Sequence, residues 1–228
     1  MFIPKDSPTD ELPLSELKRL VRGGENTEVE FKHKVADPLK IAKEVVAFAN
    51  TKGGWLLLGV NDDKTIPGLK FPDEERASLE EELSMRCPQI KYKVWRTPIT
   101  SSRDVLAFQI FESPQKPIFL WYNLRRKTGK AYYRVHDKSV QISKEMRKIL
   151  QIRTHQRPQK PVRYGENEKV ALQYVAQHHK INKFELASTA HISEEQAAEI
   201  LITLTVNSIL EIHPGDTLDY YTLPSVSL

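Results

Sequence analysis

One stretch of the chain mixes basic and aromatic residues, a combination that suits polynucleotide binding. Arginine and lysine bind phosphate oxygens, and aromatic rings stack on exposed bases. Since successive residues of a strand face opposite sides, Tyr132 and Tyr133 should point in opposite directions, and we expect at least half of the aromatic residues to lie in the core. The aromatic residues are Trp121, Tyr122, Tyr132 and Tyr133, and the basic residues that we expect to contact nucleic acid are Arg125, Arg126, Lys127, Lys130 and Arg134.

Charge is unevenly distributed along the chain. Residues 1–164 contain 31 Lys+Arg against 21 Asp+Glu, whereas residues 165–228 contain 3 against 9. Most of the excess lies in residues 116–163, with 14 basic and two acidic side chains, and this density favours a surface that binds a polyanion. A lysine-rich face that contacts only solvent is the alternative.

Several other chemistries lack the residues that they need. Cys87 is the only cysteine, so we expect a buried thiol rather than a disulfide or a zinc site. Gly53 and Gly54 belong to no GxxxxGK[ST] loop, so ATP binding is not supported by a P-loop, and a turn before a strand explains the pair better. The first twenty residues lack an apolar export segment and no apolar run reaches about 18 residues. We therefore expect no membrane contact and a cytoplasmic location.

The elements that position these residues follow a mixed α+β order. In residues 27–32 (TEVEFK) polar and apolar residues alternate, so the pattern predicts a half-buried strand with Glu28, Glu30 and Lys32 on one face. Asp37 is the expected N-cap of a helix through Asn50. Further elements are a helix around residues 12–21, a buried strand at 55–60, a helix at 73–86, strands at 91–95, 105–111 and 131–135, and a helix begun by Ser143.

The C-terminal residues predict a separate small domain. Three helical patterns and two short strands around Pro214 give the helix–helix–helix–hairpin order of a winged helix. Acidic residues on the third helix oppose its docking on DNA. We therefore expect self-association, as a homo-oligomer, or partner contact through its apolar residues, which alternatively form the domain core. The acidic residues are Glu194, Glu195 and Glu199, and the apolar residues are Ile200, Leu201 and Leu204.

Three segments together resemble the Schlafen AlbA-type domain: residues 25–32 (ENTEVEFK), 37–63 (DPLKIAKEVVAFANTKGGWLLLGVNDD) and 129–135 (GKAYYRV). The resemblance implies a mixed-sheet nucleic-acid-binding domain over residues 12–150. The composition and the patterns that follow it predict a basic linker at 151–164 and the winged-helix-like domain at 165–228. In bacterial proteins this domain is often followed by a helix-turn-helix domain, and such proteins are described as transcriptional regulators or ATP-binding proteins.

The resemblance also implies a possible catalytic site. Some Schlafen relatives cut structured RNA with three carboxylates, and Glu25, Glu30 and Asp62 match them. Clustered carboxylates bind Mg²⁺ or Mn²⁺, which positions water at the scissile phosphate, and Lys32 is expected to contact that phosphate. The alternative is a set of surface carboxylates in which Asp62 belongs to a turn. His136 stands where the family commonly has glycine, and we favour a polar turn residue over an acid–base group.

The sequence therefore predicts an α+β nucleic-acid-binding protein of the transcriptional-regulator type, which binds DNA or RNA through its N-terminal domain. A metal-dependent endoribonuclease is one alternative. A protein-interaction adaptor that senses a nucleotide is the other.

Overall fold

The computed structural model describes residues 10–155 and 165–224. They divide into two compact units. The first runs to Ser113 and resumes at Ile118–Ser139, and the second contains Pro114–Pro117 and the described residues from Val140 onward.

The first unit is a mixed α+β structure. Its elements in chain order are β1 (Asp10–Glu11), α1 (Leu14–Gly23), β2 (Val29–Lys32), α2 (Pro38–Asn50), β3 (Gly54–Leu58), α3 (Pro72–Arg86), β4 (Tyr92–Thr100), β5 (Arg103–Ile110), β6 (Leu120–Asn123), β7 (Thr128–Lys130), β8 (Tyr132–Val135) and β9 (Lys138–Gln141), of which β9 continues into the second unit.

A five-stranded sheet forms the centre of this unit, with the order β1-β4-β5-β3-β2. Strands β2 and β3 are parallel, since α2 connects them, and β5 is antiparallel to both β3 and β4. The register pairs Glu30 with Leu56 and Lys32 with Leu58. The mixed sheet confirms the predicted α+β class.

Both faces of the sheet are covered, which explains the continuous apolar run in β3. Leu56 and Leu58 pack with residues of α2 and α3, whereas Leu57 packs with residues of α1 on the other side. Helix α2 begins as predicted, because the Asp37 side chain accepts a hydrogen bond from the Lys40 amide at 3.1 Å.

The second unit contains α4 (Lys144–Thr154), α5 (Glu166–His178), α6 (Lys183–Ala190), α7 (Glu194–Val206), β10 (Glu211–His213) and β11 (Tyr220–Thr222). Capping boxes begin α6 at Asn182 and α7 at Ser193. The Ile181 backbone pairs with Tyr221 beside the β10–β11 hairpin.

Helix α4 lies in the second unit, whereas the sequence predicts it in the first domain. The Arg153 guanidinium donates to the Thr205 carbonyl of α7 at 3.1 Å, and Lys183 binds Glu145 at 2.9 Å. The apolar stripe of α4, which includes Ile149, is buried. The residues of α4 therefore pack with the C-terminal helices.

The apolar side chains of α7 are not a free surface. Leu201 and Leu204 are completely buried and Ile200 is half-buried. Leu201 and Leu204 therefore belong to the core of the unit, which is the alternative that the sequence left open, and self-association of the chain stays a prediction. No helix in the described part of the chain is long and apolar enough to cross a membrane.

Candidate nucleic-acid interface

The hairpin of β6 and β7 presents the exposed cations. Arg125, Arg126, Lys127 and Lys130 are all exposed, and within residues 10–155 and 165–224 none of them forms a salt bridge. The Asn123 side chain accepts a hydrogen bond from the Arg126 amide at 2.9 Å, which shapes the turn. The four cations are therefore available to phosphate groups.

Glycine is required at one position of this hairpin. Gly129 pairs with Trp121, and a Cβ atom there would lie 1.8 Å from the Leu120 carbonyl oxygen. On the strand opposite Gly129, the Trp121 ring has the Lys127 ammonium 5.3 Å from its centroid, which is a cation–π distance. The close approach of the two strands therefore depends on Gly129.

The two tyrosines near the hairpin have different roles. Tyr122 is exposed and Tyr132 is buried, and their hydroxyls are 2.8 Å apart. Burial raises the pKa of Tyr132 above its usual range, and the hydrogen bond with Tyr122 raises it further. The Lys43 ammonium lies 5.3 Å from the Tyr132 ring centroid. Tyr132 is therefore a buried residue that holds the hairpin through its hydroxyl, and Tyr122 is exposed to solvent.

Asn50, at the end of α2, anchors both ends of the hairpin segment. Its side-chain amide donates to the carbonyls of Ile118 and Tyr132, both at 2.9 Å, and its carbonyl accepts from the Ile118 amide at 2.7 Å. Asn50 is completely buried. These bonds use both donor positions and one of the two acceptor positions of the side-chain amide. Asn50 therefore connects the two ends of the hairpin segment.

Arg134 does not contact solvent, contrary to its predicted role in nucleic-acid binding. Its side chain is completely buried, and one guanidinium nitrogen lies 2.9 Å from carboxylate oxygens of both Glu30 and Glu44. The other terminal nitrogen donates to the Asn26 carbonyl at 2.7 Å. The guanidinium carbon lies 4.7 Å from the Phe48 ring centroid. Arg134 is therefore an internal counter-charge.

The Schlafen, AlbA_2 family model matches residues 25–143, more than half of the chain. The chain belongs to this Schlafen family. No curated protein matches the sequence. Among solved structures, it is similar to the DIP2311 protein from Corynebacterium diphtheriae, with 16% sequence identity and a TM-score of 0.45, over 80% of this chain and 35% of that one. The chain thus spans about a third of the length of that protein.

Residues 47–54 (AFANTKGG), which lie within the middle segment of the Schlafen resemblance, have a packing explanation. Besides Asn50, the Thr51 hydroxyl donates to the Ala47 carbonyl and accepts from the Arg134 amide, at 2.8 and 2.9 Å. A Cβ atom on Gly54 would lie 2.4 Å from the Phe48 ring. The segment therefore joins α2, β3 and β8.

Lys32 is engaged by the carboxylate that neighbours it on the strand. Its ammonium forms a short ion pair with Glu30 and donates to the Phe31 carbonyl at 2.8 Å, and the residue is half-buried. The predicted phosphate contact therefore requires Lys32 to leave Glu30.

The three Schlafen-type carboxylates have different surroundings. One Glu25 oxygen accepts the Phe31 amide at 2.9 Å, and partial burial raises the Glu25 pKa, with smaller contributions from the negative charges of Glu30 and Asp62. Asp62 follows β3. The neighbouring Asp63, rather than Asp62, closes the turn by accepting from the Thr65 amide at 2.9 Å.

This arrangement does not fit a metal ion. Each Glu30 oxygen is already bound by a cation, Lys32 on one and Arg134 on the other. Throughout residues 10–155 and 165–224, no group of three or more His, Cys, Asp and Glu side chains is arranged to hold a metal. Glu30 therefore acts here as the partner of two cations.

His136 lies in the turn between β8 and β9, with a positive φ of 55°. Glycine adopts this backbone region without strain, which explains why the family commonly has glycine there. The turn interpretation of His136 agrees with this geometry.

Asn50 and Glu44 organise the site, although neither is among the residues predicted for it from the sequence. A signal existed for Asn50, because it lies at the end of the apolar stripe of α2, where a buried amide must find hydrogen-bond partners. No local signal identifies Glu44, whose partners Arg134 and Ser139 lie 90 and 95 residues away.

Proposed function

We propose that the chain is a nucleic-acid-binding protein of the transcriptional-regulator type, which binds DNA or RNA through the β6–β7 hairpin. The observation that carries this proposal is the group of four exposed cations, Arg125, Arg126, Lys127 and Lys130, without a salt bridge in the described part of the chain. Membership of the Schlafen AlbA_2 family, which is often associated with nucleic acids, supports it.

Several exposed or half-exposed cations outside the hairpin are held by carboxylates. Arg96 binds Asp104 at 2.6 Å, and Lys148 forms an ion pair with Glu199. A cation held by a carboxylate must exchange that partner before it binds phosphate. The hairpin cations gain phosphate contacts and release counterions without that exchange.

The second unit contributes differently in this proposal. If α5, α6, α7 and the β10–β11 hairpin form the predicted winged helix, α7 is the helix that would enter the DNA groove, and its Glu194, Glu195 and Glu199 are exposed. We therefore assign nucleic-acid contact to the hairpin of the first unit and not to α7.

The test measures binding of the full chain to labelled single-stranded RNA and duplex DNA over a range of salt concentrations. The hairpin variant changes all four cations to glutamine. Because each phosphate contact contributes about 0.7 to 0.9 to the slope of log K against log salt, we expect the slope to fall by about 3. The matched control has the same change of charge outside the hairpin: Lys18→Gln, Lys34→Gln, Lys52→Gln and Lys91→Gln, all exposed.

The control should bind nearly as well as the wild-type protein. An equal loss in both variants would mean that total charge, and not the hairpin, determines binding, and the proposal would fail. Absence of polynucleotide binding by the wild-type chain would favour the adaptor function.

The same assay separates binding from cleavage. Incubation of structured RNA with Mn²⁺ or EDTA would reveal nuclease activity. Asp62→Asn and Asp63→Asn form a matched pair, since the carboxylates are adjacent and only that of Asp63 holds Thr65. Metal-dependent cleavage lost only in Asp62→Asn would replace the binding proposal with the endoribonuclease.

A further inference from the structure

We infer that the β6–β7 hairpin takes a single-stranded segment of polynucleotide, with one base stacked on the ring of Tyr122. This inference rests on the nucleic-acid-binding function proposed above and names the class of nucleic acid that the site prefers.

Tyr122 is exposed on the same hairpin that carries the four cations without a salt bridge. The residue is 45% exposed, and in the described residues no aromatic ring or cation lies against its ring. Trp121 and Tyr132 differ, because each has a lysine ammonium 5.3 Å from its ring centroid. Tyr122 is thus the aromatic residue of the hairpin with a ring face available to a ligand.

The ring is also fixed before a ligand binds. The Arg86 guanidinium donates to the Trp121 carbonyl at 2.8 Å, so α3 holds the backbone next to Tyr122. At the other end of the side chain, the Tyr122 hydroxyl is bonded to that of Tyr132, whose own carbonyl is held by Asn50. Binding therefore orders few additional rotatable bonds, which favours affinity.

The phenol pair does not repel phosphate. Burial raises the pKa of Tyr132, so its hydroxyl carries no charge at neutral pH, and this hydroxyl shares a hydrogen bond with that of Tyr122. The side chains that follow Tyr122 in the turn include Arg125 and Arg126, and residues 118–135 contain no acidic residue. The hairpin therefore combines a neutral stacking surface with positive charge.

A fixed, exposed ring discriminates between single strands and duplexes. In a duplex each base is stacked on both faces, and only its edges are accessible in the grooves. In a single strand a base face is available, and stacking on an aromatic side chain depends little on base identity. We therefore expect tolerance of sequence together with preference for unpaired segments.

The test compares Tyr122→Leu with Tyr122→Phe in the full chain. The probes are a 12-nucleotide single-stranded RNA, the same RNA with one abasic position, and a duplex of equal length. Loss of the ring should weaken single-strand binding by roughly 5- to 100-fold, and Tyr122→Phe, which keeps the ring, should stay within about threefold of wild type.

Two further results are expected. First, Tyr122→Leu should leave duplex binding unchanged. Second, the abasic position is moved along the RNA, and at one placement it should weaken binding by the wild-type protein but not by Tyr122→Leu. Equal loss of duplex binding, or retention of single-strand affinity by Tyr122→Leu, would overturn the inference. The hairpin-cation variant reports on the proposed function independently, so failure of stacking and failure of binding are distinguishable.

Discussion

Arg134 shows how a single residue can have the right chemistry for one role and be used in another. Its partners Glu30 and Glu44 lie on β2 and α2, 104 and 90 residues away. The sequence indicates that Arg134 is a basic residue of a strand. Successive side chains of a strand point to opposite faces, but this alternation does not show which face is buried. The apolar pattern would place Tyr133 and Val135 inside, whereas the structure buries Tyr132 and Arg134.

The buried arrangement predicts a large effect of Arg134→Met on stability. The change leaves the Glu30 and Glu44 carboxylates without their guanidinium, and breaking a buried ion pair in this way costs about 3 to 5 kcal/mol. Urea denaturation should show this decrease in the free energy of unfolding. Arg126→Met on the exposed hairpin is the matched control and should change stability by less than about 0.5 kcal/mol.

A compensating change sharpens this test. Adding Glu44→Gln to Arg134→Met removes the carboxylate that loses its cation, since Glu30 keeps its ion pair with Lys32, so the double variant should recover part of the lost stability. Equal stability of Arg134→Met and Arg126→Met would contradict the internal counter-charge.

At the scale of elements, the sequence predicts those that carry strong local signals. The structure places α2 at Pro38–Asn50, between the predicted cap and the predicted end, and it places β3 in the apolar run. The β6–β7 hairpin was not predicted as a hairpin. Its strands have four and three residues, and its turn lacks the Asn-Gly or Asp-Gly pair that identifies tight hairpins from sequence.

The hairpin segment depends on a helix that precedes it by about 70 residues, which leads to a prediction for Asn50→Ala. The substitution leaves buried groups of Ile118 and Tyr132 without partners, and each such group costs about 1 to 3 kcal/mol. We expect stability to fall by about 3 kcal/mol and the Ile118 amide to exchange its hydrogen much faster. Urea denaturation and hydrogen exchange provide the two measurements.

The control for this prediction is Asn61→Ala. Asn61 also uses its side-chain amide, which donates to the Thr65 hydroxyl at 2.8 Å, but this bond is exposed to water. Its loss should cost less than about 1 kcal/mol. If the Ile118 amide hydrogen exchanged at the wild-type rate in Asn50→Ala, the Asn50 side chain would not be required to hold the hairpin segment.

For the whole molecule, the division into compact units changes the meaning of the charge distribution. Divided after residue 164, the chain shows opposite charges in its two parts. Divided as the structure divides it, the first unit contains 23 Lys+Arg against 20 Asp+Glu and the second 11 against 10. The candidate site is therefore a local group of unpaired cations, not a generally basic domain. Part of residues 151–164, predicted as a basic linker, lies outside the described residues.

The sequence could not show where the two units divide. The apolar stripe of α4 indicates that one face of the helix is buried, but it does not indicate which of the two cores buries it. The structure places α4 with α7, through the Arg153–Thr205 bond, the Lys148–Glu199 pair and the buried stripe. The boundary between the units consequently precedes Ser143, the N-cap of α4.

This boundary predicts different behaviour for two fragments. A fragment of residues 140–228 retains α4 and should unfold in one cooperative thermal transition, followed by circular dichroism. A fragment of residues 165–228 exposes the α7 residues that α4 covers and should lose that transition. Within the longer fragment, Ile149→Asp should reproduce the loss because it places a charge in the core, whereas Gln151→Asp, at an exposed position of the same helix, should not. Cooperative unfolding of the shorter fragment with the same midpoint would show that α4 contributes nothing to the second unit.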